Sequence, residues 1–444
     1  MSVELRPLGE VCKTTSGGTP SRSKPHYFDG TIPWVKSGEL PDGIVVDNSE
    51  YISDEAIGNS SAKLLPAGTL LVALYGATVG KLGILSRPAA TNQAVCAIFP
   101  SEAIDTKFLF WYLLAKRPWL IGQAAGGAQP NISQGVVRSL MVPVMPLAAQ
   151  REIVAEIEKQ FSRLDEAVAS LKRVKANLKR YKASVLKDAV EGRLVPIEAE
   201  LARREGRSFE TGEQLLQRIL ETRRSQWKGN GKYKEPLDSS TASSSSVPEG
   251  WVAATTGQLC DCIVPSRDKP KSFSGATPWL TLPDFEEDKI LISSSRVGLG
   301  LSESEIAGSK AKVVPQGSVV MSCVGRFGIT AVLAEDAVIN QQLHAFLPNA
   351  MVMPKYLAYA LRTRVTEMTA VSTATTIAYL NKENCNGVRL ALPPLLEQIR
   401  IVAEVERRLS FADGSEAEAD RALLRAKRLK QSLLQNAFSP SNLT

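Results

Sequence analysis

Few residues in this sequence have the types and spacing that catalysis requires, and none of them completes a catalytic set. The run from Gly76 to Leu82 resembles a phosphate-binding loop, but it is one residue short and has no Ser or Thr after its lysine. Asp284, Glu287 and Asp288 resemble nuclease carboxylates, but they lie too close in sequence to come from two strands flanking a metal ion. The Asn-Pro-Pro-aromatic tetrapeptide of methyltransferases and the dinucleotide-binding Gly-x-Gly-x-x-Gly are both absent from the sequence. We therefore predict that the chain is not an enzyme and has no catalytic residues.

The histidines and cysteines do not have the spacing of a metal site. The chain has two histidines, His26 and His344, and six cysteines without the spacing of a disulfide framework. Cys260 and Cys262 form a C-x-C rather than a C-x-x-C motif, so we predict no zinc site and no bound cofactor. Cysteines of this kind in a chain of 444 residues are typical of reduced thiols, which predicts a cytoplasmic protein.

The charge balance favours a polyanionic partner, and the hydropathy predicts no membrane association. The formal net charge is +7 and the isoelectric point is about 9.0. The longest apolar patch, Leu140 to Ala149, is broken by two prolines and is too short to span a bilayer. The N-terminus lacks a charged start followed by an apolar core, so we expect no signal peptide.

A long amphipathic helix is the first element that must position any functional residues. Between Ile153 and Ala189, apolar residues recur at steps of three and four with no Pro or Gly between them, which predicts a helix of roughly 54 Å that buries one narrow stripe. A stripe this narrow needs a partner helix, as in a coiled coil. The apolar positions are Ile153, Ile157, Phe161, Leu164, Val168, Leu171, Val174, Leu178, Tyr181 and Val185.

The partner helix is a second copy in the same chain, 248 residues further on. The run from Ile401 to Glu406 repeats the run from Ile153 to Glu158, and Lys182 and Ala189 meet Lys430 and Ala437 at the same offset. The second stripe is slimmer than the first, and large residues against small ones suit two interlocking helices. The paired positions are Leu164, Leu171, Val174 and Leu178 in the first copy and Ala412, Ala419, Ala422 and Ala426 in the second.

The segments before the two helices are also duplicated. The segment from Thr19 to Trp34 aligns with that from Val264 to Trp279 at an offset of 245, and Asn92-Gln93 recurs as Asn340-Gln341 at 248. The predicted fold class is α+β: a tandem duplication of two mixed α/β domains, each followed by a long helix, with the helices paired as an antiparallel coiled coil. We predict domains at 1–145 and 249–393, helical spacers at 146–195 and 394–439, and a charged helical extension with a Ser-rich linker at 196–248.

Two similar domains related by antiparallel helices suit a ligand with two separated, similar sites. Duplex DNA has two-fold axes of its own, so such a chain can place equivalent surfaces on two half-sites, whose sequences should differ because the domains have diverged. A bivalent protein scaffold has the same geometry without DNA. A free-standing nuclease or methyltransferase is a third hypothesis, which the absent motifs oppose.

The candidate DNA contacts lie in the loops that recur in both domains. Arg and Lys supply phosphate contacts, Arg also reads guanine, and Asn and Gln can read adenine. The alternative is structural: prolines and tryptophans pack these loops, and polar pairs beside strands often satisfy backbone groups. The basic run from Lys172 to Lys182 fits a solvated face of the coiled coil better than a DNA contact. The candidates are Arg22, Lys24, Lys36, Asn92, Gln93, Gln129 and Asn131 in the first domain, and Arg267, Lys269, Asn340, Gln341 and Tyr379 in the second.

With these motifs in place, the chain resembles the specificity subunit of type I restriction–modification systems. The run Gly17-Gly18-Thr19-Pro20 leading to Ile32-Pro33-Trp34 is similar to the opening of a target recognition domain. The runs from Pro146 to Val154 and from Pro394 to Val402 resemble the starts of the two helical spacers. The second domain departs from this pattern, with Ile263-Val264-Pro265 where the first has Gly18-Thr19-Pro20.

The resemblance implies a non-catalytic reader of double-stranded DNA in a system of defence against foreign DNA. Each target recognition domain would contact one half of a split, asymmetric sequence, and the paired helices would fix the gap between the halves. Two modification subunits, which bind S-adenosylmethionine and methylate adenine, would join the chain, and ATP-dependent restriction subunits would cut unmethylated DNA. These cofactors belong to the partners. Residues 196–248 would help to dock a modification subunit.

Overall fold

The computed structural model describes residues 3–124, 130–228, 231–237, 247–265, 269–372, 378–439 and Asn442. The chain divides into two compact units. The first unit comprises Met1–Val174 and Ala419–Thr444, and the second unit comprises Lys175–Glu418. Each unit therefore contains one domain and parts of both long helices. In the described part of the chain, no helix is long and apolar enough to cross a membrane.

The strands before the first long helix are short, and three of them, Leu70–Ala73, Leu82–Leu85 and Val95–Ile98, are buried throughout. Strand β6 has four buried residues in succession, as the continuous apolar run in the sequence predicts. The strands are β1 (Glu4–Pro7), β2 (Thr14–Ser16), β3 (Ile32–Val35), β4 (Gly43–Val45), β5 (Glu50–Ile52), β6 (Leu70–Ala73), β7 (Leu82–Leu85), β8 (Ala90–Thr91), β9 (Val95–Ile98) and β10 (Met141–Val144).

Side-chain caps begin three of the helices in this part of the chain. The Asp105 carboxylate accepts hydrogen bonds from the backbone N–H groups of Lys107 (2.9 Å) and Phe108 (3.2 Å), which fixes the start of α3. The helices are α1 (Leu8–Val11), α2 (Asp54–Gly58), α3 (Thr106–Ala115), α4 (Arg117–Gly122), α5 (Gln134–Ser139) and α6 (Leu147–Val190).

Three sheets make up the first domain. A five-stranded sheet has the order β2-β9-β6-β7-β4, a three-stranded sheet has the order β5-β3-β8, and β1 pairs with β10. The β3–β8 and β4–β7 pairs are parallel, and the others are antiparallel. Because β3 and β8 are parallel, their carboxyl ends lie side by side. Several of the candidate residues directly follow these two strand ends.

The second unit adds two helices before its strands. The sequence predicts one charged helical stretch from Glu198 to Trp227. The structure has two helices there, α7 (Glu198–Glu205) and α8 (Gly212–Ser225). Gly206 ends α7 with a left-handed φ of 65°, and the Thr211 hydroxyl caps α8. Residues 231–237 form neither helix nor strand, and most of the predicted Ser-rich linker lies outside the described residues.

The second domain repeats the strand order of the first and adds one strand, Val313–Val314, to the sheet that has three strands in the first domain. Its sheets have the orders β12-β20-β17-β18-β14, β15-β13-β19-β16 and β11-β21. Its strands are β11 (Val252–Thr255), β12 (Cys262–Ile263), β13 (Thr277–Leu280), β14 (Leu291–Ile292), β15 (Gly300–Leu301), β16 (Val313–Val314), β17 (Val319–Ser322), β18 (Thr330–Leu333), β19 (Ala337–Ile339), β20 (Leu343–Phe346) and β21 (Arg389–Leu392). Its helices are α9 (Thr256–Leu259), α10 (Glu303–Gly308), α11 (Pro354–Arg362), α12 (Val365–Val371), α13 (Lys382–Asn386) and α14 (Leu395–Ala437).

The long helices α6 and α14 run antiparallel within each unit. In the first unit, Lys430 of α14 forms an ion pair with Asp165 of α6, and its ammonium lies 5.0 Å from the Phe161 ring centroid. In the second unit, Lys182 of α6 contacts Asp413 (2.6 Å) and Glu416 (2.8 Å) of α14. Lys175 of α6 lies 3.7 Å from Glu416, so within the second unit the partners in α14 go from Glu416 to Asp413 as the residues of α6 go from Lys175 to Lys182. The predicted fold class is therefore confirmed.

Candidate nucleic-acid interface

The recurring Asn-Gln pairs lie at the same strand ends in both domains. In the first domain, parallel pairing of Val35 with Thr91 places Lys36 beside Asn92, and the Asn92 N–H donates to the Val35 carbonyl at 3.1 Å. In the second domain, the Asn340 N–H donates to the Leu280 carbonyl at 3.0 Å. Each domain thus presents an Asn-Gln pair at the carboxyl ends of two parallel strands.

The two members of the first pair differ in exposure. Asn92 is half-buried, and its side-chain oxygen is enclosed without a hydrogen-bond donor among the described residues. Gln93 is exposed, and its side-chain oxygen accepts a hydrogen bond from the Thr19 hydroxyl. Gln93 is therefore the member that a ligand can reach directly. In the second domain, Asn340 and Gln341 are both half-buried, and the Asn340 side chain bonds the backbone N–H and the side chain of Gln342.

Two glycines bring the first loop onto this edge. A Cβ at Gly17 would lie 2.2 Å from the Asn92 carbonyl oxygen, and one at Gly18 would lie 2.3 Å from the Ala62 nitrogen, so neither position accepts a side chain. The Gly18 carbonyl accepts a hydrogen bond from the Trp34 indole at 3.0 Å. The run Gly17-Gly18-Thr19 is therefore fixed against the residues around Asn92 and Gln93.

The basic residues of the first loop are held by intradomain contacts. The Arg22 guanidinium pairs with Glu50 at 2.6 Å and lies 4.1 Å from the Phe28 ring centroid. Lys24 donates to the Tyr27 hydroxyl at 2.9 Å, and Lys36 contacts Glu50 at 2.8 Å. These hydrogen bonds, first from Lys36 and then from Arg22, lower the pKa of Glu50.

The contacts of Arg22, Lys24 and Lys36 thus agree with the structural alternative, in which these side chains help to pack the loop. Arg22 and Lys36 share the Glu50 carboxylate, and Lys36 also lies 3.7 Å from Glu39, so two positive and two negative groups adjoin. The Arg22 side chain is nevertheless 57% exposed. A DNA contact by Arg22, Lys24 or Lys36 remains a prediction.

The second domain has cations at two of the three equivalent places, Arg267 and Lys269, and an uncharged residue at the third. Arg267 lies outside the described residues, as does Gln129 of the first domain. Lys269 is exposed and lines an open groove with Lys271 and Glu305. Thr281 stands where the first domain has Lys36, and its hydroxyl donates to the Asp284 carboxylate at 2.7 Å. The spacing of Asp284 in the sequence argues against a nuclease role, and in the structure its carboxylate accepts hydrogen bonds from the turn that begins at Thr281.

A second pair of strand-like segments ends at the same edge in each domain. Asn131 is exposed and forms an isolated antiparallel bridge with Tyr75, and Tyr379 forms the equivalent bridge with Val324. Tyr75 is not among the contacts predicted from the sequence, because it ends a continuous apolar run, yet 43% of it is exposed. Its position directly before Gly76, which has a left-handed φ of 65°, is the signal that marks the end of the strand.

The thiols and imidazoles have no features of a reactive or metal-binding centre. All six cysteines are free and buried. Burial raises the pKa of Cys96 to about 12 and lowers that of His344 to about 4, with Lys382 adding to the latter. The His344 Nδ1 lies 3.1 Å from the Cys385 sulfur. Among the described residues, no group of His, Cys, Asp and Glu side chains could hold a metal ion.

Comparison with known proteins identifies the class of this chain. A family model described as the type I restriction modification DNA specificity domain matches residues 2–180 and 248–408. These two matches cover more than half of the chain, so the chain belongs to this family and carries its domain twice. The family predicted from the loop and helix motifs is confirmed.

The relatives include specificity subunits of type I restriction enzymes. The EcoBI specificity subunit of Escherichia coli is 24% identical over 422 residues, which are 92% of this chain and 77% of that subunit. The EcoR124I/EcoR124II specificity subunit of Escherichia coli is 31% identical over 173 residues. That match spans 37% of this chain and only 42% of the relative.

Solved structures share the fold. A chain from a study of assembly and conformational transition of the type I R-M system has a TM-score of 0.65, with 21% identity over 99% of this chain and 98% of that one. The HsdS subunit from Thermoanaerobacter tengcongensis has a TM-score of 0.54, with 20% identity over 98% and 96% of the two chains. This chain therefore shares its fold with both solved structures.

Proposed function

We propose that this chain is the DNA sequence-recognition subunit of a type I restriction–modification complex and reads a bipartite, asymmetric double-stranded target. The observation that carries the proposal is the double occurrence of the specificity domain, with the same strand order and an Asn-Gln pair at the same strand ends. Residues 1–145 would read one half-site and residues 249–393 the other. The half-sites differ because the edges differ, with Lys36 and Asn131 replaced by Thr281 and Tyr379.

The long helices would set the gap between the half-sites. Helices α6 and α14 contain 44 and 43 residues, so each is roughly 65 Å long. Their antiparallel contacts in both units support a paired spacer at 146–195 and 394–439. A paired helical spacer resists bending more than a single helix or a flexible linker, which a ruler requires.

The chain itself would be non-catalytic, and partner subunits in the cytoplasm would supply the chemistry. Two modification subunits would methylate adenine with S-adenosylmethionine, and ATP-dependent restriction subunits would cleave unmethylated DNA. The absence of catalytic motifs from the sequence supports this division. The contacts proposed for DNA are those named from the sequence, with Gln93 and Asn131 exposed polar members at the edge of the first domain.

An exchange of one domain tests the assignment of one domain to one half-site. Residues 1–145 are replaced by the equivalent domain of a relative with a known target, and the chain is co-expressed with its modification subunit. Methylated motifs are then mapped. We expect the half-site read by the exchanged domain to change and the other half-site and the gap to stay the same. A change in both half-sites would contradict the proposal.

A further inference from the structure

In each domain, two backbone hydrogen bonds between neighbouring segments hold one pair of residues at the domain edge. We call this arrangement the platform. In the first domain, Gly76 N–H donates to the Pro130 carbonyl at 2.8 Å, and Ile132 N–H donates to the Leu74 carbonyl at 2.9 Å. These two bonds flank the bridge between Tyr75 and Asn131. Tyr75 and Asn131 are thus a non-hydrogen-bonded antiparallel pair, in which the side chains stand close together on one face.

The second domain has the same two backbone hydrogen bonds at the equivalent positions. Gly325 N–H donates to the Ala378 carbonyl at 2.8 Å, and Leu380 N–H donates to the Cys323 carbonyl at 2.9 Å. These bonds flank the bridge between Val324 and Tyr379. The two platforms therefore hold equivalent pairs at equivalent positions, although the side chains differ.

The first pair points away from the core because its neighbours point into it, whereas in the second pair Tyr379 is exposed and Val324 is half-buried against the core. Leu74 and Ile132 are 3% and 2% exposed, whereas Tyr75 is 43% exposed and Asn131 is also exposed. In a strand, successive side chains lie on opposite faces. A bulky aromatic residue held outward by a rigid backbone is the kind of group that recognition surfaces use, because little conformational entropy is lost on binding.

Each pair consists of one tyrosine and one smaller residue, and the tyrosine changes strand between the domains. In the first domain the partner of the tyrosine is Asn131, whose amide can form two hydrogen bonds with an adenine in the major groove. In the second domain the partner is Val324, which can only make apolar contact, as with a thymine methyl group. The same platform would thus read different bases in the two domains.

We propose that the Tyr75–Asn131 and Val324–Tyr379 pairs determine the specificity of the two domains, with Asn131 reading an adenine in the half-site of the first domain. This inference rests on the proposed function. The tyrosines provide apolar contact beside the base that the partner residue selects. The backbone bonds of the platform hold the pair in place, so exchanging the pair changes the base that is read and leaves the fold intact.

Two variants of the full chain test the inference after co-expression with the modification subunit and mapping of methylated DNA. Asn131→Ala removes the amide that reads adenine. We expect the preference for adenine at one position of the first half-site to fall roughly 5- to 150-fold, the discrimination that a bidentate contact supplies. The double variant Tyr75→Val with Asn131→Tyr copies the second pair, which the second platform already accommodates, and is expected to replace the base read there. Tyr51→Val, at a 38% exposed tyrosine of β5, is the matched control and should leave the motif unchanged.

Three outcomes would overturn the inference. The first is an unchanged motif in both variants, and the second is a change in the half-site of the second domain. The third is an equal loss of methylation on all sequences by variants that retain the thermal unfolding midpoint of the natural chain. Failure of the proposed function has a different signature, because the natural chain would then direct no split motif with a competent modification subunit.

Discussion

At the scale of single residues, the structure separates cations that are paired with a carboxylate of their own domain from uncharged polar residues that are exposed at the domain edge. Arg22 and Lys36 share Glu50, whereas Gln93 and Asn131 are exposed polar residues at the same edge of the first domain. A charged residue held by an intradomain partner can still contact phosphate, because a carboxylate and a phosphate oxygen can bind the same guanidinium. The loop cations are therefore expected to contribute affinity, and the edge residues specificity.

Reversal of two loop charges tests this division. Arg22→Glu combined with Lys24→Glu is expected to weaken DNA binding to all sequences alike and to reduce the salt dependence of the binding constant by about one to two phosphate contacts. Binding is measured by fluorescence anisotropy over a series of salt concentrations. The matched control, Lys107→Glu with Lys159→Glu, changes the net charge equally on exposed helical residues. Equal losses in the two variants would show that only the total charge matters.

The buried His344 makes the second unit sensitive to acid. Its pKa of about 4 in the folded chain lies below the ordinary value of 6.5, so the unfolded chain binds the proton more readily between these values. The stability contribution is fully present above pH 6.5 and declines as the pH falls towards 4. At pH 5 the loss is about 2 kcal/mol.

The measurement is the free energy of unfolding at pH 7.5 and pH 5. His344→Cys, which places the residue of the first domain at this position, should reduce the difference between the two pH values. His26→Gln changes the other histidine, which is exposed, and should retain the difference. If both variants keep the full pH dependence, the acid sensitivity comes from other groups.

At the scale of elements, α7 is joined to the second domain by a buried polar cluster. The Glu397 carboxylate accepts hydrogen bonds from the Glu198 backbone N–H (2.8 Å) and from the Trp251 indole (2.9 Å). The Glu198 carboxylate lies 2.6 Å from both Arg207 and Arg400. Helix α6 has Ala149 where α14 has Glu397, so the cluster belongs to the copy that α7 precedes.

Removal of the Glu397 carboxylate should release α7. Glu397→Ala leaves two buried donors without their acceptor, which is expected to cost about 2–4 kcal/mol. Limited proteolysis should then cut within residues 196–228 of the variant before it cuts the natural chain. Glu404→Ala, which removes a carboxylate bonded to neighbouring arginines on α14, is expected to cost less than about 1 kcal/mol. Equal protease resistance of the Glu397→Ala variant and the natural chain would contradict this account of α7.

The secondary-structure elements also show which parts of the structure could be predicted from the sequence and which could not. The duplication, the long helices and the Asn-Gln positions could be predicted because local periodicity and recurring residues encode them. The pairing of Arg22 with Glu50, and of Glu198 with Glu397, could not be predicted, since it joins residues far apart in sequence that have no pattern in common. The exposure of Tyr75 could not be predicted, because an apolar residue at the end of a buried run looks the same in the sequence whether its side chain faces inward or outward.

At the scale of the whole molecule, the chain combines two readers and one spacer in a single polypeptide. The repeated strand order supplies equivalent platforms, and divergence of their side chains allows two different half-sites. The spacer is made of both copies of the long helix, so its length depends on α6 and α14 together. A change in only one of them would disrupt the pairing of the helices.

A matched deletion in both helices tests the spacer. Seven residues are removed between Asp165 and Lys175 in α6 and seven between Glu416 and Lys430 in α14, which keeps the flanking ion pairs Asp165–Lys430 and Lys175–Glu416. Seven residues are close to two helical turns and about 10 Å of length. The gap in the methylated motif is expected to shorten by about three base pairs, at 3.4 Å each, with both half-sites preserved. An unchanged gap would mean that the helices do not measure the distance.

The most direct test of sequence recognition is to map adenine methylation in cells that express the modification subunit with and without this chain. We expect a split, asymmetric motif that appears only when the chain is present, with a fixed gap between two different half-sites. If a competent modification subunit assembles with the chain and no such motif appears, the chain does not direct methylation to a DNA sequence, and the proposed function is wrong.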